Sequence, residues 1–367
     1  MQKRNRIVFV APNLSSFINS DIQVLKSTFD VEVMIYQWSK KVLTPALILY
    51  QFVRFITSYL RTDAIVVSFG GYWALVPVLF GKIFNIPSVV ILHGTDCAAM
   101  PSIKYGTLRK SLLKKICHIV YNNAYMLLPV SESLISIKNS YSSNTAEEDQ
   151  GILRFFPNLQ TPVKVIYNGL DQTVWKPESQ IERIPNKIVT VISENQLMRK
   201  GGDLILQVAP EFEDYDFHII GMNKPVNLGP LPQNVIFNGK LKPEELKFNY
   251  LSATFYLQLS MFEGFGLSLC EAMLCGCIPI GSSVNIIPKI VGNFGYIVES
   301  RKTEVLKETL HKAFESPVHD LEAARKHIIS NFALSQRSDQ LIQTIEELIK
   351  NHGCNSSIQK IKLSAQD

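Results

Sequence analysis

The sequence of 367 residues has few cysteines, no long uncharged apolar run and little net charge. Four of its six cysteines lie in or near apolar runs, as reduced, buried thiols usually do. A disulfide-stapled secreted domain is therefore excluded, and a reducing compartment is expected. The most apolar window, residues 42–60, is interrupted by Gln51 and Arg54, which argues against a membrane span.

Common nucleotide and metal motifs are absent as well. The sequence has no G-x-x-x-x-G-K-[ST] motif and no G-x-G-x-x-G motif after the first apolar run. Cys275 and Cys277 are separated by one glycine, which is not the spacing of a zinc site, and no second pair follows. We therefore expect neither a P-loop nor a bound metal.

The net charge of +5 is too small to indicate a nucleic-acid-binding protein. The charges are unevenly distributed, however: residues 1–171 hold 17 basic and 10 acidic side chains, and the remainder holds 20 and 22. A basic first half and a nearly neutral second half indicate two parts with different partners.

Short apolar runs alternate with helical patterns along the whole chain. The runs are rich in Val, Ile and Leu without alternation, as in strands covered on both faces. They occupy residues 7–10, 31–36, 64–68, 88–92, 126–130 and 163–167 in the first half, and residues 187–192, 216–221, 234–238, 254–259 and 277–281 in the second. Strands that alternate with helices predict parallel sheets, so we expect an α/β protein with two doubly wound domains.

Turn and linker composition places the seam near residues 170–186. The polar stretch 138–150 has no apolar period, and we expect it to be a mobile surface excursion. The predicted organisation is an N-terminal domain over 1–171, a C-terminal domain over 172–335, a closing helix over 336–352 and a flexible tail over 353–367.

Two segments carry amphipathic patterns. In residues 42–60 apolar side chains recur at spacings of three and four, which favours a helix packed on a sheet over membrane contact. The predicted packing face is Leu49, Phe52, Val53, Ile56 and Leu60. Residues 104–115 form a second candidate helix, in which Leu108, Leu112 and Leu113 oppose Lys and Arg; an anionic membrane face and plain solvation remain equal alternatives there.

Residues 260–281, SMFEGFGLSLCEAMLCGCIPIG, are the most informative segment. They follow an apolar strand and pass through two glycines into a helix opening near Leu267, where free backbone amides create an anion site. The glycines let the backbone approach a phosphate closely. Glu263 precedes the turn, and Glu271 lies within an otherwise apolar helix, where a lone carboxylate is costly without a partner. Carboxylates at such positions accept hydrogen bonds from ligand hydroxyls.

This segment resembles the E-x7-E motif of retaining glycosyltransferases of family 4, the group 1 glycosyltransferases. The likeness extends over most of the chain through HGTD, PVSES, YNGLD, the approach NGKLKPEEL to LSATFYLQLS, and the closing NFALSQRSDQLIQTIEELI. It implies the GT-B fold, in which two Rossmann-like domains face each other across a cleft that holds the active site.

By this resemblance, Glu263 holds hydroxyls of the donor sugar and Glu271 the ribose hydroxyls. The amides of residues 264–267 face the sugar and the diphosphate. This set is Gly264, Phe265, Gly266 and Leu267.

A second segment, SENQLMRKGGD, follows the strand at 187–192. Arg199 and Lys200 stand before two glycines, where positive charge can stabilise a departing phosphate. The family places an arginine and a lysine at the diphosphate. Lys200 matches the lysine, whereas Asn195 occupies the arginine position, so either Arg199 substitutes for it or the diphosphate is held less strongly.

In the first half, His93 follows the strand at 88–92 and is expected at the carboxyl edge of the first sheet, where ligands bind. The resemblance implies that it contacts the donor sugar. The alternative is a capped strand end, with Asp96 as the cap and His93 merely exposed. Ser15 and Ser16 of the first β-α loop replace the family's glycine pair and, with Asp96, are acceptor-side candidates.

Together with this resemblance, which implies retention, the sequence predicts a retaining glycosyltransferase with His93, Glu263 and Lys200 as its catalytic residues. It would transfer a sugar from a UDP- or GDP-sugar to a hydroxyl of a glycan or lipid-linked acceptor. No cofactor and no metal are expected, since no DxD-like acidic pair follows a strand, and no nucleic acid is expected. We expect a cytoplasmic protein, with contact to an anionic membrane left open. The alternatives are a GT-B sugar-nucleotide epimerase or phosphorylase, and a catalytically silent GT-B binding subunit.

Overall fold

The computed structural model describes residues 4–36, 38, 40–58, 61–142, 147–225, 229–315 and 320–363. The chain forms two compact units. The first comprises Met1–Ser136, Gln150–Asn168 and Ser335–Asp367, and the second comprises Ile137–Asp149 and Gly169–Leu334. The chain thus changes unit close to the predicted boundary after residue 171, and residues 137–149 group with the second unit although they were predicted within the first domain.

The strands are short and mostly buried, as the apolar runs predict. In chain order they are β1 Arg6–Ala11, β2 Asp30–Ile35, β3 Ala64–Ser68, β4 Ser88–Leu92, β5 Met126–Pro129, β6 Ile137–Lys138, β7 Asp149–Gln150, β8 Ile184–Val191, β9 Asp216–Ile220, β10 Val235–Phe237, β11 Ala253–Gln258, β12 Ile278–Ser282 and β13 Tyr296–Val298.

The α-helices follow the strands in the alternation expected of β-α-β units. In chain order they are α1 Ser16–Thr28, α2 Thr44–Ser58, α3 Tyr72–Ile83, α4 Ser111–Asn123, α5 Ile152–Phe155, α6 Gly202–Val208, α7 Pro243–Ser252, α8 Leu267–Leu274, α9 Ile287–Val291, α10 Thr303–Glu315, α11 Leu321–Phe332 and α12 Leu334–Leu363.

Each unit contains one large parallel sheet. The first sheet has the order β2-β1-β3-β4-β5, and the second has the order β10-β9-β8-β11-β12-β13. All pairings within these two sheets are parallel, and β6 and β7 form a separate two-stranded sheet. The predicted α/β class with doubly wound parallel sheets is confirmed.

The predicted strands differ from the structure at residues 163–167, at β13, and at the two-residue strands β6 and β7, which were not predicted. Residues 163–167 form hydrogen bonds beside β5 but only an isolated bridge, from Val163 to Leu127, rather than a strand. Conversely, β13 was missed, because its three residues are too few to give an apolar run, although Val298 is fully buried.

The packing face predicted for residues 42–60 is wrong. Helix α2 turns Gln51 and Phe55 inward, both fully buried, and the Gln51 amide donates to the carbonyl of Trp73 at 3.0 Å. The predicted face points to solvent instead, and Leu60 lies outside the described residues. The exposed fractions are 64% for Leu49, 46% for Phe52, 50% for Val53 and 47% for Ile56.

The helix predicted over residues 104–115 is also wrong in its extent. Residues 101–103 and 107–109 form separate 3-10 turns, and α4 begins only at Ser111. Gly106, with a φ of 91°, lies against the backbone of Ala98, so a side chain there would collide with it. This turn interrupts the pattern. Leu108 is buried, whereas Leu112 is exposed.

The polar stretch 138–150 is not a solvated excursion where the structure describes it. Asn139, Tyr141 and Ser142 are buried, and so is Glu147. The Tyr141 carbonyl accepts a hydrogen bond from the Arg301 amide at 2.7 Å. The burial could not be predicted from the polar composition, because backbone and amide hydrogen bonds rather than apolar contacts hold the segment. Residues 143–146 lie outside the described residues.

Helix α12 is longer than the predicted closing helix of residues 336–352 and belongs, from Ser335, to the first unit. Its buried Arg337 forms a bidentate ion pair with Asp21 on α1, with both N–O distances at 2.6 Å. Arg337 also donates to the carbonyls of Ile166 and Tyr167. The predicted tail is helical as far as Leu363, and residues 364–367 lie outside the described residues.

Candidate functional site

The strand order locates the candidate site of the second unit. The order runs outward in opposite directions from the neighbouring strands β8 and β11, as in a Rossmann sheet of order 3-2-1-4-5-6. Ligands bind at the carboxyl ends of the strands at such a switch point. The loops that leave β8 and β11 there are residues 192–201 and 259–266, and they carry most of the predicted donor residues.

Glu263 and Lys200 lie together at this switch point. Lys200 Nζ is 3.2 Å from Glu263 Oε2, and the side chains are only 14% and 15% exposed. The same Oε2 accepts hydrogen bonds from Gln258 Nε2 at 3.0 Å and Ser260 Oγ at 3.1 Å. The second carboxylate oxygen, Oε1, has no such partner within the described part of the chain, so it is available to a ligand hydroxyl.

Gly201 explains how Lys200 comes so close to the end of β11. Its φ of 75° is in the left-handed region, and a Cβ there would lie 2.4 Å from the Cβ of Leu259. Only glycine combines this backbone conformation with so close an approach. The glycine therefore lets the loop after β8 press against the strand end that carries Glu263.

Neighbouring charges hold Glu263 ionised. Burial raises the pKa of its carboxyl, but the charges of Lys200 and Arg199 and the hydrogen bonds from Lys200 and Ser260 outweigh burial and leave the pKa below its ordinary value. The site therefore presents a carboxylate beside an ammonium group near neutral pH.

Arg199 forms hydrogen bonds that link the loop after β8 to the loop that carries Glu263. Its Nη1 donates to the carbonyl of Phe262 at 3.0 Å, and its Nη2 donates to Gln196 Oε1 at 2.8 Å. Its guanidinium is thus engaged with the protein, and the substitution for the family arginine stays a prediction. Asn195 is exposed and has a φ of 65°, so it occupies the turn between β8 and α6.

The glycine loop leads into α8 as predicted from its sequence. Gly266, with a φ of 110°, caps the helix that begins at Leu267. Phe265 is buried and packs its ring edge-on against Phe332 at 5.3 Å, and Gly264 is buried as well. The helix N-terminus therefore lies directly after the loop that carries Glu263.

Sequence reasoning missed three polar residues around Glu263. Gln258 and Ser260 donate to its carboxylate, and Asn285 Oδ1 accepts from its backbone amide at 3.1 Å. Tyr256 and Gln258 in β11 and Ser260 just after it stand at alternate positions, as residues on one face of a strand do. This alternation of polar side chains in an apolar strand was the signal that could have found two of the three.

Glu271 lies on α8 in a different environment from Glu263. Among the described residues, its carboxylate accepts one long hydrogen bond, from Tyr250 Oη at 3.4 Å. Burial raises the pKa of Glu271 to about 7, and the Tyr250 hydroxyl offsets only part of that rise. The two carboxylates of the E-x7-E motif therefore differ in protonation near neutral pH.

His93 lies in the first unit, after β4. Its Nε2 is 2.9 Å from Ser68 Oγ, and its ring packs between Phe17 and Phe69, with centroids 4.8 and 4.4 Å away. Burial, and then the charge of Arg337, lowers the pKa of His93 well below its usual value, so the imidazole is neutral. Its Nδ1 is buried and has no partner among the described residues, which leaves it for a ligand.

Asp96 is a buried residue that holds the His93 loop by accepting hydrogen bonds from backbone amides. Its Oδ1 accepts from the amides of His93 at 3.1 Å and Gly94 at 3.0 Å, and its Oδ2 accepts from Gly70 at 2.9 Å. Burial raises the pKa of Asp96 to about 6 despite these bonds. Asp96 is 1% exposed and thus holds the loop, and a direct contact with an acceptor stays a prediction.

Ser15 and Ser16 lie at the start of α1. Ser15 occupies the position before the helix, and its Oγ is buried without a partner among the described residues. Ser16 is exposed in the first turn. Their acceptor role also stays a prediction.

The described residues contain neither a cluster of metal ligands nor a membrane-spanning helix. No three His, Cys, Asp or Glu side chains there are grouped as a metal site requires. No helix in that part of the chain has both the length and the apolar character needed to cross a bilayer.

Asn139, which was not predicted from the sequence, also holds the loop that carries Glu263. Its Nδ2 donates to the carbonyl of Met261 at 2.6 Å, and its Oδ1 accepts from the Tyr141 amide at 3.2 Å. Asn139 is 4% exposed, so both bonds are protected from water.

Replacing Asn139 by alanine is expected to destabilise the second unit by about 2 kcal/mol, because two buried backbone groups lose their partners. The loop at Met261 should also loosen and weaken ligand binding beside Glu263. Thermal unfolding and calorimetric titration with a nucleoside diphosphate measure the two effects. Replacement of the exposed neighbour Ser140 by alanine is the control, and equal behaviour of both variants would contradict the assignment.

Two parallel, doubly wound sheets in one chain are the architecture of the GT-B fold. Residues 175–333 match the family model described as "Glycosyl transferases group 1". The resemblance found in the sequence is thereby confirmed for residues 175–333, which form a group 1 glycosyltransferase domain.

The chain is similar to the N-acetyl-alpha-D-glucosaminyl L-malate synthase of Bacillus anthracis, with 24% identity over 277 residues that span 72% of this chain and 68% of the relative. It is also similar to the lipopolysaccharide core biosynthesis mannosyltransferase LpcC of Rhizobium leguminosarum bv. viciae, with 22% identity over 50% of this chain and 59% of the relative. Among solved structures, the sucrose-phosphate synthase of Thermosynechococcus elongatus shares the fold, with a TM-score of 0.73 and 14% identity over 95% of this chain and all of that one.

Proposed function

We propose that this glycosyltransferase is retaining and metal-independent, and that it transfers a sugar from a UDP- or GDP-sugar to a hydroxyl group. The observation that carries the proposal is the contact of 3.2 Å between Lys200 Nζ and Glu263 Oε2 at the switch point of the second sheet. An ammonium group there can stabilise the negative charge that develops on the departing β-phosphate. The adjacent carboxylate can accept hydrogen bonds from the sugar hydroxyls.

A pocket in the second unit suits the nucleoside part of the donor. It measures about 470 Å³ and lies at the carboxyl ends of β8 and β9, with Val191, Glu194, Gly221 and Leu241 among its lining residues. A pocket of a few hundred Å³ with mixed polar and apolar walls is of the size that binds a nucleoside. The base would lie there, and the diphosphate would extend toward Lys200 and the N-terminus of α8.

The remaining assignments follow the sequence predictions. Glu271 accepts the ribose hydroxyls, for which it has free hydrogen-bonding capacity beside one long bond to Tyr250. The neutral imidazole of His93 contacts the donor sugar through its unpaired Nδ1. No side chain is assigned as general base, because the leaving phosphate itself can accept the acceptor's proton.

The acceptor is a glycan or a lipid-linked glycan, in polysaccharide or glycolipid synthesis. Two observations support this choice. Residues 1–171 carry seven more basic than acidic side chains, which suits an anionic acceptor. In addition, LpcC, a relative at 22% identity, is named as a lipopolysaccharide core mannosyltransferase.

The proposal predicts stabilisation by one class of ligand. UDP- or GDP-sugars at about 100 times their Kd should stabilise the chain by about 2.7 kcal/mol, which a thermal shift assay detects as a rise of several degrees. Adenosine monophosphate and free sugars are the negative controls. A chain that no nucleotide sugar stabilises is not the proposed enzyme.

Transfer itself needs a separate test. A labelled sugar should pass from the stabilising donor to a glycan or lipid-linked acceptor with its anomeric configuration kept, as proton NMR of the product shows, and at an unchanged rate in EDTA. Epimerised or phosphorolysed sugar without transfer would favour the alternative enzymes, and donor binding without turnover would favour a silent binding subunit.

A further inference from the structure

Three neighbouring helices of the first unit lack carboxylates altogether. Helices α2, α3 and α4 contain no Asp or Glu, although they hold Arg54, Lys82, Lys114 and Lys115. Right-handed crossovers in a sheet of order β2-β1-β3-β4-β5 place these helices together on one face, opposite α1, and α3 packs against both of the others. Between residues 33 and 131 the chain has ten basic and only two acidic residues.

Helix α2 presents an apolar stripe on the outside of this face. The stripe is defined by positions spaced three and four apart that share one side of a helix. All of its members are apolar. They are Val42, just before the helix, and Pro45, Ala46, Leu49, Phe52, Val53 and Ile56.

This arrangement is the reverse of an ordinary surface helix, which turns its polar side to water. The one uncharged polar side chain in the middle of α2, Gln51, is fully buried, whereas Val42 is 93% exposed and Leu49 is 64% exposed. A row of large apolar side chains in contact with water indicates an interaction surface.

The neighbouring helices of this face also expose large apolar side chains. Ile83 at the end of α3 is 75% exposed, and Leu112 in α4 is 60% exposed. The exposed basic residues Lys40 and Arg61 bracket α2, and Lys115 lies on α4. Arg54 contributes little of this charge, because it pairs with Glu32.

We propose that this face, defined by α2, α3 and α4, binds the surface of a bilayer that contains anionic lipid, with the apolar stripe of α2 lying in the headgroup region. Apolar side chains and basic side chains without intervening carboxylates are what an interfacial helix requires. At 15 residues α2 is about 22 Å long, enough to lie along a membrane.

The charge distinguishes a bilayer from a second copy of the chain. Two copies joined through this face would bring basic residues against basic residues, because a twofold interface uses the same patch on both sides. An anionic bilayer supplies the opposite charge. The membrane contact rests on the proposed function only because a lipid-linked acceptor would give the contact a purpose. The residues of this face are different from those of the donor site.

Co-sedimentation of the full chain with vesicles tests the proposal. The chain should bind vesicles of 30% phosphatidylglycerol in phosphatidylcholine and bind pure phosphatidylcholine at least tenfold more weakly. Phe52→Gln with Ile56→Gln should lower the partition coefficient at least tenfold, since it removes exposed apolar area that the bilayer would bury. Val174→Gln with Ile184→Gln changes two comparably exposed apolar residues in the other unit and should leave binding unchanged.

A second pair of variants separates charge from apolar contact. Lys110→Glu with Lys115→Glu should abolish the preference for phosphatidylglycerol, as should high salt. Failure of the chain to bind at low salt, or equal binding by the Phe52→Gln, Ile56→Gln variant, would overturn the proposal. A dimer in analytical ultracentrifugation that this variant abolishes would assign the face to a second copy instead.

Nucleoside diphosphate titration of the same preparations keeps the two proposals apart. The Phe52→Gln, Ile56→Gln variant should bind the nucleotide as the unmodified chain does, which also verifies that it is folded. If the unmodified chain binds the nucleotide but does not bind the vesicles, the membrane proposal is wrong and the proposed function is unaffected.

Discussion

Replacing Lys200 by methionine is expected to lower the rate of sugar transfer by about 10²–10³-fold, the range seen when one preorganised donor of transition-state stabilisation is removed. Methionine keeps most of the volume of the side chain and removes only the charge. The loss should fall mainly on kcat, since negative charge on the β-phosphate grows as the sugar leaves. Steady-state kinetics with the stabilising nucleotide sugar measures it.

The control and the conservative variant sharpen this result. Lys302→Met removes an exposed lysine of the same unit and should leave the rate unchanged. Lys200→Arg keeps the charge and should recover part of the activity. If Lys200→Met transfers sugar at an unchanged rate, its ammonium group has no role at the phosphate.

A double-mutant cycle separates two ways in which Lys200 could act. The ammonium either contacts the diphosphate itself or only holds Glu263, with which it pairs at 3.2 Å. If it acts only through Glu263, Lys200→Met costs nothing further in the Glu263→Gln background. If it acts on the phosphate, the two losses are closer to additive.

The pH profile provides an independent readout. Glu263 is buried, and its pKa lies below its ordinary value because Lys200, Arg199 and hydrogen bonds offset burial. Without Lys200 the effect of burial remains, so the pKa rises and the carboxylate is protonated at higher pH. The acidic limb of the activity profile should therefore move upward in Lys200→Met and stay in place in Lys302→Met.

Much of the fold follows from local apolar pattern. Runs such as the one at residues 64–68 are buried on both faces, and their alternation with helices is enough to predict two parallel sheets. Strand order does not follow from it, because each run is equally apolar. The switch point between β8 and β11 becomes visible only in the paired sheet.

The errors concern which side of an element faces the core. In α2 the periodicity of apolar residues is real, but it marks the solvent side, since the buried side is held by Phe55 and the amide of Gln51. Apolar periodicity shows which residues share one side of a helix, but it does not show whether that side packs on the protein or faces solvent. The same holds for Asn139, which looks like a loop residue in sequence and is buried because its amide matches the carbonyl of Met261.

In the candidate site, too, some features could be predicted from local sequence and others depend on tertiary structure. Glu263 and Lys200 could be chosen from a carboxylate beside glycines and a lysine before glycines. Their contact depends on Gly201, whose left-handed conformation against Leu259 is a tertiary feature. The different protonation of Glu263 and Glu271 likewise arises from burial and from Lys200, neither of which the spacing of the motif reveals.

Glu271→Gln is expected to stabilise the protein and weaken donor binding at the same time. Glu271 has one hydrogen bond, from Tyr250 at 3.4 Å, and burial raises its pKa to about 7. In the unfolded chain its pKa is near 4.3. The folded state therefore binds more protons between these two values, and its stability falls as the pH rises through that window.

The sign of the effect follows directly. At pH 8 the wild-type protein keeps an ionised carboxylate where the ionised form is disfavoured, and glutamine removes this cost, so the free energy of unfolding should rise by about 2 kcal/mol. At pH 4.5 the carboxyl is largely protonated in the folded protein, and the variant should gain little. Thermal unfolding at both pH values measures the difference, with Glu244→Gln, an exposed residue on α7, as the control.

Ligand binding should change in the opposite direction. Loss of charge-assisted hydrogen bonds to the ribose hydroxyls should lower the affinity for the nucleoside diphosphate about 10–100-fold at pH 8. In the wild-type protein the affinity should rise from pH 5.5 to pH 8 as Glu271 ionises, whereas the glutamine variant should show only the dependence that ionisation of the ligand's own terminal phosphate gives. A stability gain that is equal at both pH values would refute the ionisation argument, and an unchanged affinity would remove Glu271 from the donor site. A buried carboxylate that costs stability and is repaid only by its ligand is what a binding residue, rather than a structural one, should look like.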